Sequence, residues 1–165
     1  MNTYSGLKLR AEDDEDLAII SACLRRALGS LSEMAYDRAA RRFAAILVRP
    51  LWETAPPKGD MDKDDEEPDM VALGRMRAGL HFNHVSAVRF RHLDHAEPNK
   101  LLHLVAIVSA SLSERFAIIL SFEGGGEIFL EVDKIHGQMR DLDAPPANIH
   151  KPDTPPDEPF EDAKL

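Results

Sequence analysis

A single cysteine, Cys23, in 165 residues leaves no internal disulfide and no zinc site built from several thiolates. No apolar run approaches the roughly eighteen residues a membrane-spanning helix needs. The longest, Leu104 to Ala110, has the length of a buried strand. The opening residues, Met1-Asn2-Thr3-Tyr4-Ser5, show no basic leader ahead of an apolar block, so no secretory signal is expected and the cytoplasm is the expected compartment. Aromatic residues are scarce, ten in all, which argues against a stacking platform for nucleic acid. There is no nucleophile elbow, no His-Glu-x-x-His helix and no carboxylate pair with separable acid and base roles. No catalytic residue, metal ligand or cofactor is therefore assigned.

What is present is charge, unevenly placed. The formal net charge is −9. Residues 54–70 hold seven acids against Lys58 and Lys63, a net of −5, and residues 143–165 hold six acids against Lys151 and Lys164, a net of −4. The rest of the chain is close to neutral, so the acidity belongs to two segments and not to the folded part. Both segments are rich in proline and poor in anything to bury. Residues 54–70 are expected to form a flexible acidic insert in a single globular domain spanning 1–142, and 143–165 a disordered acidic tail.

Between these segments the pattern is mostly that of strands. Residues 6–10 alternate like a short strand. A helix is expected over 13–28, where five acids from Glu12 to Asp16 suit a helix N-terminus and Leu17, Ile20, Leu24 and Leu28 recur at helical spacing before Gly29. Strands follow at 31–36, 42–49, 75–82, 85–92, 101–110, 115–122 and 127–132. The run Gly124-Gly125-Gly126 supplies a hairpin turn, and a second helix is expected over 133–142, burying Ile135, Met139 and Leu142. The fold class is α+β: a mostly antiparallel, strongly bent sheet or partly open barrel of about seven strands with two helices. Its element order is similar to that of pleckstrin-homology-like folds, an analogy without functional content.

One pair of segments invites a finer reading. In 75–82 the even positions are apolar and Arg75, Arg77 and His81 are odd; in 85–92 Val88 and Phe90 are even and Arg89 and Arg91 are odd. Paired as a hairpin through a three-residue connection or a bulge, the two strands would carry Arg75, Arg77, His81, Arg89 and Arg91 on one face. Opposed like charges are unfavourable on a sheet, so an anion is expected nearby. Glu127 and Glu131, or the acidic insert, would serve internally; a phosphorylated or carboxylated small molecule would serve as a ligand. The histidines at 81, 84, 92, 95 and 103 match no zinc spacing, and Cys23 reads as an inert, partly buried thiol.

Leu7-Lys8-Leu9-Arg10-Ala11-Glu12-Asp13, Met34-Ala35-Tyr36 with Arg41-Arg42-Phe43, Trp52-Glu53, Val85-Ser86-Ala87-Val88, and Gly124-Gly125-Gly126 with Leu130-Glu131-Val132 together resemble an uncharacterised domain-of-unknown-function family of small alphaproteobacterial proteins. The resemblance implies no activity, ligand or catalytic residue. The sequence is compatible with two functions. The first is a non-catalytic binding or accessory protein that meets a protein partner or a second copy through its sheet, because 101–110 and 115–122 are apolar on both faces. The second is an enzyme or sensor for a small anion at the arginine face.

Overall fold

A computed structural model describes residues 6–54 and 73–142. Apart from Thr54, the expected insert at 54–70 and the expected tail at 143–165 lie outside the described residues. Among the described residues there are ten strands, one α-helix and two short 3₁₀ turns. In chain order they are β1 (Lys8–Ala11), α1 (Asp14–Cys23), β2 (Leu28–Gly29), a 3₁₀ turn (Leu31–Glu33), β3 (Met34–Asp37), β4 (Arg42–Pro50), a second 3₁₀ turn (Trp52–Thr54), β5 (Arg75–Phe82), β6 (Val85–Arg91), β7 (Leu102–Ser111), β8 (Phe116–Phe122), β9 (Glu127–Val132) and β10 (Gly137–Asp141).

The strands form one antiparallel sheet in the order β1-β10-β5-β4-β2-β7-β8-β9-β6, with β3 on β4 off this path. The sheet curls without closing. Its last strand comes back toward the middle of the path, where the Val85 N–H donates to the Arg41 carbonyl at 2.9 Å.

Alternation along each strand assigns the inner face. In one half of the sheet Leu9, Met139, Leu80, Ala45 and Met34 stand in register across five strands and face inward. In the other half Ile118 and Leu130 are opposed and fully buried. Each fully buried leucine, isoleucine or phenylalanine contributes about 1.5–3 kcal/mol relative to exposure, so these two inner faces dominate the favourable side of folding.

The helix begins as its acids predict. Asp13 caps it, its carboxylate accepting from the Asp16 N–H at 2.8 Å, while the Asp16 carboxylate accepts from the Glu12 N–H at 3.0 Å. Leu17, Ile20 and Leu24 are buried as expected. The helix stops short of residue 28, because β7 captures the chain. The Arg26 N–H donates to Leu104 O and the Leu104 N–H to Ala27 O, both at 2.8 Å, with Arg26 at φ 67°. Strand β2 covers only the first residues of β7, pairing Leu28 with His103 and Gly29 with Leu102. Farther along, α1 lies against β7, and Ser21 Oγ accepts the Ile107 N–H at 2.9 Å.

Two expectations are corrected. Residues 133–142 hold a strand and no second helix: β10 pairs with β1 on one side and β5 on the other. Ile135, Met139 and Leu142 fit a helical spacing, but Gly137 and Met139 also alternate with Gln138 and Arg140. Two waiting strand edges satisfy the backbone groups that a lone helix would satisfy internally. Ile135 and Met139 are buried, whereas Leu142 is 44% exposed.

The hairpin expected between 75–82 and 85–92 does not form either. Strand β5 pairs with β4 and β10, and β6 pairs with β9. The two-residue link Asn83-His84 turns a corner, with His84 at φ 61° and the Asn83 N–H donating to His136 O at 2.8 Å. Phe82 and Val85 on either side of the corner are both fully buried, which a flat two-residue hairpin would not give. There are ten strands in place of about seven: β1 is the short strand expected at 6–10, and β2 and β10 are strands that were not expected.

Candidate functional site

Because β5 and β6 part at the corner, the five residues expected on one face fall into two groups. Arg89 and Arg91 stand on β6, exposed, in the half sheet containing β9. Arg91 pairs with Glu127 at 3.4 Å, and the Arg89 guanidinium lies 5.9 Å from the Phe129 ring centroid. Glu131, the other acid expected to neutralise this stripe, instead meets Arg115 at 3.5 Å. Arg75, Arg77 and His81 stand on the outer face of β5, in the other half sheet, and there the register gives them different companions.

Two outer rows define that face. The first runs Arg10 on β1, Gln138 on β10, His81 on β5, Ala44 on β4 and Ala35 on β3. The second runs Lys8, Arg140, Gly79 and Ile46. Farther along β5 come Arg77 and then Arg75, opposite Val48 and Pro50. With Arg42 at the far end of β4, six permanent cations project from this side of the five strands against one strand carboxylate, Asp37. Among the described residues Lys8, Arg10, Arg75 and Arg140 make no ion pair, and Lys8 and Arg140 are directly opposed in register. Like charges so placed oppose pairing by roughly 0.2–1 kcal/mol.

Between the cations the floor is low. A groove of ≈ 320 Å³ is lined by Ala44, Ala45, Gly79, Leu80, His81, Gln138, Arg140 and Leu142. Gly79 presents no side chain, and a Cβ there would meet Leu142 Cδ2 at 3.5 Å, so Leu142 forms one wall. A smaller depression, lined by Ala35, Asp37, Arg42, Ala44 and His81, continues it across β4. Burial, with the Arg42 and His136 charges adding to it, holds the His81 ring below the usual imidazole range. His81 is therefore a neutral hydrogen-bonding group at pH 7, and the charge of the groove comes from the arginines and the lysine.

The feature with the densest polar chemistry is one the sequence reading missed. Arg49 has the same strand parity as Phe43, Ala45 and Leu47, so it points inward, and its side chain is fully buried at the end of the core. Nε and one Nη donate to the Asp141 carboxylate at 2.8 and 2.9 Å. The guanidinium also forks onto Glu53 at 3.0 and 2.7 Å, and it donates to the Pro50 carbonyl at 3.2 Å. All five N–H donors are thus occupied. Asp141 additionally accepts the Leu7 N–H at 2.8 Å, which ties β1 to the knot. Burial disfavours the arginine's charge, but the hydrogen bonds to Asp141 and Glu53 outweigh it and hold its pKa above the ordinary value. Inward parity of an arginine was the available signal. The half-buried Cys23 lies near this knot, and burial pushes its thiol pKa up.

The outer face of the other half sheet differs. Val108, Ile119, Phe129 and Arg89 stand in one row across β7, β8, β9 and β6, and Val105 and Val108 are 50% and 47% exposed. The surplus apolar surface expected on 101–110 and 115–122 is this row. The histidines remain dispersed: His84 and His136 meet edge to face at 5.5 Å, and His136 Nδ1 shares a hydrogen bond with Asn83 at 2.9 Å. No cluster of three or more metal-ligating side chains occurs among the described residues. No helix among them is long and apolar enough to cross a membrane.

The elements that build both outer faces and the arginine knot, β1 through β10, lie within residues 7–154, which match the family model described as a protein of unknown function, DUF2948. The chain belongs to the DUF2948 family. The match bears out the expected membership of a family of unknown function, without showing its source, and brings no activity or ligand with it. No curated protein and no solved structure matches the chain.

Proposed function

We propose that this DUF2948 protein is a non-catalytic binding protein that holds an anionic ligand on the outer face of β1, β10 and β5. The observation that carries this reading is the in-register pair Lys8–Arg140, without a carboxylate partner among the described residues, beside a groove floored by Gly79 and Ala44. An anion between two opposed cations converts their repulsion into two charge-assisted hydrogen bonds, each stronger than a neutral one. Among the described residues the groove lining supplies an imidazole, an amide and a guanidinium but no hydroxyl, thiol or carboxylate, a set better suited to holding a ligand than to transforming one.

The test is a thermal-shift titration of the full chain with inorganic phosphate and citrate at low salt. Ligand stabilisation follows mass action, so at about 100 times Kd the unfolding free energy should rise by about 2.7 kcal/mol. The midpoint should rise with ligand concentration in the native chain and stay flat in the Arg140→Glu variant. Equal shifts in both, or none in either, would remove this reading.

A further inference from the structure

We infer that the ligand of this face is an extended acidic segment of a partner protein. This rests on the binding function proposed above and adds the class of ligand. Length is the first argument. From His81 back to Arg75 the outer face of β5 runs six residues, about 20 Å at roughly 3.4 Å per residue. Arg75 and Arg77 mark one end of that track, Arg140 and Lys8 stand level with its middle at Gly79, and Arg10 stands level with its far end at His81. A single phosphate or carboxylate spans one of these cations or two neighbouring ones. Only a chain of acids can engage the whole series, and an extended polypeptide of about six residues has the matching length.

The floor and walls point the same way. Gly79 and the buried Ala44 leave the middle of the track low, so a backbone can approach where bulky side chains would hold it off. Gln138, half-buried in the groove, offers both an amide donor and an acceptor, as a peptide main chain requires. Leu142 leans over Gly79 and is 44% exposed, a contact for an apolar residue interleaved among the acids. A nucleic acid would need a series of aromatic faces on which successive bases stack, and among the described lining residues the His81 ring is the only one.

Fluorescence polarisation on the full chain tests this, with a labelled ten-residue peptide of alternating Glu and Asp carrying one central Leu as probe. A single-stranded ten-nucleotide DNA and citrate serve as comparison ligands. The peptide should bind at low salt at least tenfold more tightly than citrate, about 1.4 kcal/mol. The Arg10→Glu, Arg140→Glu double variant should lose about tenfold or more of that affinity. Arg89→Glu with Arg91→Glu, on the other half sheet, should change it less than about twofold. All four positions are exposed, and an unchanged unfolding midpoint checks that each variant is folded.

Citrate binding as tightly as the peptide would overturn the peptide inference and leave the small-anion reading standing. Tighter binding of the DNA would overturn it in favour of nucleic acid. Peptide binding only after Asp153, Asp157, Glu158, Glu161 and Asp162 are changed to their amides would show that the chain's own acidic residues fill the face, and would overturn the partner. No binding of any probe to either form would remove both readings.

Discussion

A guanidinium buried with all of its donors engaged, as in Arg49, is costly to assemble and costlier to break. Removing two charges from water offsets much of their attraction, so the intact knot contributes little net stability. Breaking it leaves Asp141, whose side chain is 1% exposed, as a carboxylate with neither water nor a counter-ion. Arg49→Met should therefore destabilise the fold by about 3–5 kcal/mol in urea unfolding. Adding Asp141→Leu should recover most of that loss, because an apolar pair of similar volume is often as stable as the ion pair it replaces. A double variant no more stable than Arg49→Met would show that the knot acts through something other than charge burial. Half of this was legible in the sequence. Alternation with Phe43, Ala45 and Leu47 turns Arg49 inward, and Glu53 is only four residues away. Asp141 is 92 residues away, and it becomes a partner only once residues 137–141 are a strand.

The strands with the cleanest patterns were read correctly, whereas the strand expected at 31–36 starts only at Met34 after a 3₁₀ turn, the helix expected over 13–28 ends at Cys23, and residues 133–142, whose pattern admits two periods, were misread. The strands at 42–50, 102–111, 116–122 and 127–132 combine a long apolar run or clean alternation with turn signals, and their bounds agree with expectation to within one residue or so. The 124–125 turn also holds, with φ of 91° and 99° at Gly124 and Gly125. Residues 133–142 fit both a helix and a strand, and only the two edges offered by β1 and β5 decide between them. A substitution at Gly137 reads out that decision. In a helix, Ala in place of Gly would stabilise by about 1 kcal/mol. In β10, a Cβ at this position would lie 2.5 Å from the Phe82 ring and 3.1 Å from the His81 carbonyl. Gly137→Ala should therefore destabilise by about 1–3 kcal/mol in chemical denaturation. A gain in stability would mean that the strand is misplaced.

At the scale of the whole molecule, the corner at Asn83-His84 is the decisive event. It sends β5 and β6 into different half sheets, separates Arg75, Arg77 and His81 from Arg89 and Arg91, and leaves one outer face basic and the other a mixture of apolar residues and paired charges. The sequence carries the parity of every one of these residues, but not which strands become neighbours. Lys8, Arg10 and Arg140 were consequently invisible as companions of β5, since they reach it only through β10. The central claim is that the face they share is where an anion binds. An ¹H–¹⁵N NMR titration of the full chain with citrate at low salt tests it most directly, because each backbone amide reports on its own surroundings. The largest saturable shifts should fall on Gly79, His81, Gln138 and Arg140, with β6 and β9 nearly still. Saturable shifts centred on Arg89, Arg91 and Phe129 instead, or no saturable shift anywhere, would contradict the account.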